Sequence, residues 1–149
     1  MILIVVPAVL FLDQLTKFLA KRFLTLHQPQ PLIDGIVYLT LVYNRGAAFG
    51  ILKDQLPVFV IASVFAVILI VRQLRAGHVR EDFVYALSLA LILSGALGNL
   101  IDRLLLGYVV DFVDLRFWPV FNVADSAISI GAALLAYSLL VRKDRKAGD

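Results

Sequence analysis

Two aspartates, Asp111 and Asp125, stand 14 residues apart in a chain with few other groups able to do chemistry. Two carboxylates held side by side do not both ionise readily, so one pKa rises and the pair shares a proton. Such a pair lets one member take a proton from water while the other donates to a carbonyl oxygen. That hydrolysis needs no metal, cofactor or covalent intermediate, and neither metal nor cofactor is expected. Several common peptide-cleaving chemistries lack their signatures here. There is no cysteine, which removes thiolate nucleophiles, thiolate metal sites and disulfides. No H-E-x-x-H, G-x-S-x-G or P-loop occurs. His27 and His78 fall in segments expected on opposite sides of a membrane. What remains is an unusual density of polar residues at one membrane face: Asp13, Asn44, Arg45, Asn99, Asp102, Arg103, Asp111, Asn122 and Asp125, all expected near the outer ends of helices.

Taken alone, these residues also have plainer readings. Asp111 would be a loop residue and Asp125 an acid favoured by the macrodipole at a helix start. Asn122 is placed to cap that helix. Asp13 and Lys17, one turn apart, read as an intrahelical pair, and Asp102-Arg103 as a local ion pair or part of a site. Asn44 reads equally as a turn former. Asp34, Asp54 and Asp114 read as solvated loop charges. Gly95, Gly98, Ala127 and Gly131 read as close helix packing. On one helix, Gly95, Asn99, Asp102 and Arg103 follow i, i+4, i+7, i+8 spacing and share a face.

The elements that must position these groups are set by composition. The chain has 149 residues, 61% apolar and 17% charged, with a mean hydropathy of +0.91. Soluble domains run at about 45–50% apolar and about 25% charged. One membrane-embedded domain of residues 1–149 is therefore expected. The net charge of +3 is modest, and basic residues beside apolar segments suit lipid contact better than nucleic acid. A spanning helix needs roughly 20 mostly apolar residues, which predicts helices near 1–23, 56–74, 83–104 and 123–141. The first lacks a basic n-region and an A-x-A site and reads as a retained helix rather than a cleaved signal. Phe117 and Trp118 suit a membrane interface. The loop Arg72–Arg80 and the tail Arg142–Lys146 hold seven of the 14 Lys and Arg just beyond helix ends. Their placement favours both termini in the cytoplasm, although Lys21 and Arg22 count against it. Ile36–Tyr43, rich in β-branched and aromatic residues and followed by Asn44-Arg45-Gly46, reads as a strand or hairpin on the outer face, within a strand region of about 30–50. Leu106–Val120 reads as a loop, and the last seven residues as a solvated tail.

Five blocks in order carry a resemblance. They are Asp13-Gln-Leu-Thr-Lys17, Asn44-Arg-Gly-Ala-Ala-Phe-Gly50, Gly95-Ala-Leu-Gly-Asn-Leu-Ile-Asp-Arg103, Val109-Val-Asp-Phe112 and Phe121-Asn-Val-Ala-Asp125. Together, over nearly the whole chain, they resemble the signature blocks of the lipoprotein signal peptidases (signal peptidase II). The resemblance implies a four-helix, all-α membrane protein with a small β-sheet cradle on its outer face. It implies a bacterial inner-membrane aspartyl endopeptidase that removes signal peptides from prolipoproteins, cutting just before a diacylglyceryl-modified cysteine. Asp111 and Asp125 would be its catalytic pair. Asp13, Lys17, Asn44, Gly46, Asn99, Asp102, Arg103 and Asn122 would support the pair or contact substrate. Partners would be lipid-modified prolipoproteins and membrane lipids, with the chain a monomer, and the antibiotic globomycin would target it. A competing reading is a small transporter or channel, which expects ionisable residues through the bilayer depth; the central runs of the second and third helices have none. A non-catalytic assembly or lipid-binding subunit is a third reading.

Overall fold

The computed structural model describes residues 1–46, 55–75 and 82–147, without the side chains of 142–147. Asp54, His78 and residues 47–50 of the Asn44 block lie outside the described residues. The order of elements is α1 (Ile2–Phe23), β1 (Gln30–Ile33), β2 (Val37–Asn44), α2 (Leu56–Arg75), α3 (Phe83–Leu106), β3 (Val109–Asp114) and α4 (Val123–Ala147). All four helices are long and apolar enough to cross a membrane. The expected spans are met within two residues, except that α4 continues through most of the expected tail.

The third helix is the hub. Two-thirds (67%) of its spanning stretch is buried, against 11%, 6% and 22% for α1, α2 and α4, so the other three are left to face lipid. Asp82 opens α3 by accepting from the Tyr85 N–H, and Gly107 closes it at φ 79°, in the left-handed region that favours glycine. Ser88 and Ser94 return their hydroxyls to the carbonyls of Tyr85 and Ala90, so neither is left unpaired in an apolar interior. Close approach to α4 depends on glycine from both sides. A Cβ on Gly95 would strike the Ala124 carbonyl, and one on Gly131 would strike Ile92 and the Ser88 carbonyl.

The sheet is antiparallel, in the order β1-β2-β3. One outer strand corrects the sequence reading: the expected loop 106–120 contains β3, whereas β1 lies within the expected strand region of about 30–50. Val109–Asp114 is buried at almost every position, so it lacks the polar-apolar alternation that marks a one-sided strand. Only pairing with β2 identifies it. Ala20 of α1 packs with Leu41, Val110 and Phe112, which seats the sheet on the C-terminal part of α1.

Candidate active site

Pairing in the sheet aims Asp111. It lies opposite Val42, while Asn44 lies opposite Val109, two residues along. Residues two apart on a strand share a face, so Asn44 is the diagonal neighbour of Asp111 and donates to it from Nδ2 at 2.9 Å. Between Leu39 and Val42 the register slips, placing two residues of β2 against the single Phe112. This bulge re-aims the strand beside the site. After β3 the chain turns back, and Phe121 pairs with Val113 through N–H···O bonds in both directions (3.0 and 2.8 Å). That closure sets Asn122 beside Asp111.

Asn122 and Asp125 form a reciprocal capping box at the start of α4. The Asp125 N–H donates to Asn122 Oδ1 at 2.8 Å, and the Asn122 N–H to Asp125 Oδ2 at 3.2 Å. The Asn122 side chain is fully buried. With Oδ1 committed to the cap, its Nδ2 turns to Asp111 Oδ1 at 2.7 Å. Asn122 therefore donates to both carboxylates, to Asp111 from its side chain and to Asp125 from its backbone.

The same logic orients the other two asparagines. Lys17 Nζ can only donate, and it donates to Asn99 Oδ1 at 3.0 Å. The Asn99 amide is thereby forced to present Nδ2 to Asp125 Oδ1 at 2.7 Å. In Asn44, Oδ1 accepts the Gly46 N–H at 2.9 Å, leaving Nδ2 for Asp111. Each aspartate so receives two N–H donors. Asp111, 2% exposed, is nevertheless pushed up to about 7, first by burial and next by the charge of Asp125, against the opposing pull of Asn44 and Asn122.

Both carboxylates line a cavity of about 260 Å³. Asn44, Gly46, Asn99 and Arg103 contribute to its polar side, and Trp118, Phe121 and Ile128 to its apolar side. The Arg103 guanidinium lies over the Phe59 ring of α2, 5.2 Å from its centroid. Among the described residues, no group of three or more His, Cys, Asp or Glu could hold a metal ion.

The profile of the family described as Signal peptidase (SPase) II matches residues 5–141. The chain belongs to the signal peptidase II family. The lipoprotein signal peptidase of Geobacter sulfurreducens is 49% identical over 151 residues, covering 96% of this chain and 93% of that protein. That of Caldanaerobacter subterraneus subsp. tengcongensis is 45% identical over 143 residues, covering 95% and 97%. A solved bacterial membrane enzyme superposes with a TM-score of 0.91 at 31% identity, covering 97% of this chain and 90% of that one. This signal peptidase II family member is thus an enzyme and a multi-pass bacterial membrane protein with four apolar spans.

The structure gathers the sequence-derived residues but alters several readings. Asp102 pairs with Lys17 at 3.0 Å, whereas the adjacent Arg103 turns to Phe59 and the cavity, since successive helical residues point about 100° apart. Of the two readings of Asp102-Arg103, the structure favours a place in the site, with Arg103 lining the cavity and Asp102 paired to Lys17. Asp13 and Lys17 do pair, at 2.9 Å, yet Asp13 sits mid-way along α1 rather than near its outer end and meets the first turn of α4. Asn44 is both turn former and donor. Asp114 is buried rather than solvated. Burial alone would raise its carboxyl, but Thr40, the Arg116 N–H and the Arg116 guanidinium outweigh that and hold it below the usual range. Asp34 is exposed, as expected, and accepts from Tyr38. Gln14 was missed. Its Nε2 donates to Asp13, Asp102 and the Gly98 carbonyl, and a lone amide in an apolar helix was the available signal.

Proposed function

We propose that this chain is an intramembrane aspartic endopeptidase that removes the signal peptide from diacylglyceryl-modified prolipoproteins, cutting just before the lipidated cysteine. Asp111 and Asp125 are its catalytic pair. The observation that carries this reading is the shared clamp of Asn122 on both carboxylates at the wall of one cavity. The names of the relatives support the substrate class.

The chemistry follows from the electrostatics of the pair. With the Asp111 carboxyl pushed up to about 7, the pair below that pH carries one proton, which we assign to Asp111, and one charge, which we assign to Asp125. Ionised Asp125 takes a proton from a water as its oxygen adds to the scissile carbonyl carbon. Protonated Asp111 gives its proton to the carbonyl oxygen. The tetrahedral intermediate then collapses: one hydroxyl proton returns to Asp111 as the C=O re-forms, the C–N bond breaks, and the proton on Asp125 passes to the leaving amine. Asn44, Asn99 and Asn122 hold the two carboxylates still through these transfers. The apolar wall of Trp118, Phe121 and Ile128 receives the peptide flanking the cut. Acyl chains stay in lipid, and both termini lie in the cytoplasm with the cavity at the outer face.

The test is cleavage of a diacylglyceryl-modified prolipoprotein peptide by the purified chain. Asp111→Asn and Asp125→Asn should each remain folded and membrane-inserted with cleavage reduced to background. Normal cleavage by either variant refutes the pair.

A further inference from the structure

Behind the cavity, α1 and α3 bury a charged cluster that touches neither carboxylate of the pair directly. Asp13, Lys17 and Asp102 are 0%, 2% and 3% exposed. Lys17 Nζ reaches Asp13 Oδ2 at 2.9 Å and Asp102 Oδ2 at 3.0 Å. Its third N–H goes to Asn99 Oδ1 at 3.0 Å, so the ammonium has no donor left over. Gln14 Nε2 bridges the two carboxylates from the side, at 3.1 Å to Asp13 Oδ2 and 3.2 Å to Asp102 Oδ1.

The remaining bonds of the cluster go to particular places in the backbone. Asp102 Oδ2 accepts the N–H of Val110 at 3.0 Å, and Val110 immediately precedes Asp111. Asp13 Oδ1 accepts the N–H of Ala124 at 2.9 Å, and Ala124 immediately precedes Asp125. Each carboxylate of the cluster therefore grips the backbone N–H of the residue just before one aspartate of the pair. Lys17 ties the two grips together. A strand and a helix start, 14 residues apart in sequence, are in this way pinned to one ammonium.

We infer that Asp13, Lys17 and Asp102 are positioning residues, a buried caliper that sets the separation of the Asp111 and Asp125 carboxylates. The inference rests on the proposed aspartic-peptidase reading. An ion cluster suits this task because its geometry is specific: three N–H bonds from one ammonium admit little play, whereas apolar packing of the same volume tolerates sliding. Lys17 adds a second hold through Asn99, whose amide it orients toward Asp125.

A cluster that merely stabilised the fold would change how much enzyme survives, not how each folded molecule works. The pair is faced by Asp13 and Lys17 from α1 and by Asp102 and Arg103 from α3, so removing a charge also shifts both limbs of the pH profile together. A change in the gap between the limbs is the mark of separation, because the coupling of two carboxylates falls as they part. The experiment compares wild type, Lys17→Met, Asp102→Asn, Asp111→Asn and Asp125→Asn in detergent, with kcat normalised to the folded fraction. Lys17→Met and Asp102→Asn should lose about 10²-fold in kcat, the scale of a 1 Å misplacement, with KM within about twofold. The two limbs of their kcat/KM profiles should also lie closer together. If Lys17→Met does not fold, Lys17→Met with Asp13→Asn removes one unpaired charge and is read in the same way. Folded variants with wild-type kcat, or with both limbs displaced equally, overturn the caliper. Activity surviving in Asp111→Asn or Asp125→Asn refutes the peptidase reading instead.

Discussion

Asp111 and Asp125 are each held by two N–H donors, and the donors have no freedom to turn away. An ammonium, a helix-cap N–H and a turn N–H fix the oxygen end of Asn99, Asn122 and Asn44 in turn. That is why asparagine suits these positions. Aspartate offers the oxygen but not the donor, and adds a like charge. Asn99→Asp should thus reduce kcat by roughly 10²-fold, since a hydrogen bond to a charged group is worth about 1.5–3 kcal/mol, and steady-state kinetics on a lipopeptide substrate measures it. A second prediction comes from the proton on Asp111. Its folded value of about 7 lies above the ordinary 3.8, so the folded state holds this proton more tightly than the unfolded one. The resulting stability is fully present below about pH 4 and is lost as pH rises through 7. Thermal unfolding in detergent should show that decline in the wild type and a flatter profile in Asp111→Asn. For catalysis, kcat/KM should fall as pH passes 7 and the shared proton leaves.

At the scale of elements, the contact of α3 with α4 and the pairing of β3 with β2 decide whether the site exists. Gly95 lies against the carbonyl of Ala124, the residue before Asp125. Gly95→Ala should push the start of α4 away, with a destabilisation of about 1–3 kcal/mol, as for other overpacked interiors. A fall in kcat should accompany it. Denaturant unfolding and kinetics on the same preparation check both. The helices were legible in the sequence because each contains a long apolar run, which in α1 outweighs the Asp13 and Lys17 inside it. The strand that carries Asp111 was not. Buried on both faces, Val109–Asp114 shows no period of two, and its identity as a strand comes from the edge that β2 offers it. Asp114 was misread for the same reason, since its partner Thr40 is 74 residues away.

For the whole molecule, the proposed orientation places the cavity outside and both termini in the cytoplasm. The absence of cysteine makes this measurable without a background. Asp34→Cys on the sheet side and Arg75→Cys at the end of α2 both replace exposed residues. In intact cells a membrane-impermeant thiol reagent should label the first and not the second; the opposite pattern inverts the topology. The low burial of α1, α2 and α4 and the central place of α3 fit one bundle in which lipid covers three helices.

The sequence by itself determined the class of this protein: four helices apolar enough to span a membrane, a chain without cysteine, and two aspartates within recognisable blocks. Those properties are local, carried by composition, by runs of apolar residues and by short ordered motifs. Tertiary structure decided how the pair is held. How each asparagine amide is turned, which backbone N–H groups Asp13 and Asp102 grip, and that Lys17 joins them depend on contacts between residues up to 111 positions apart in sequence. Such contacts leave no periodic trace along the chain, because they are set by where α1, α3, β3 and α4 meet.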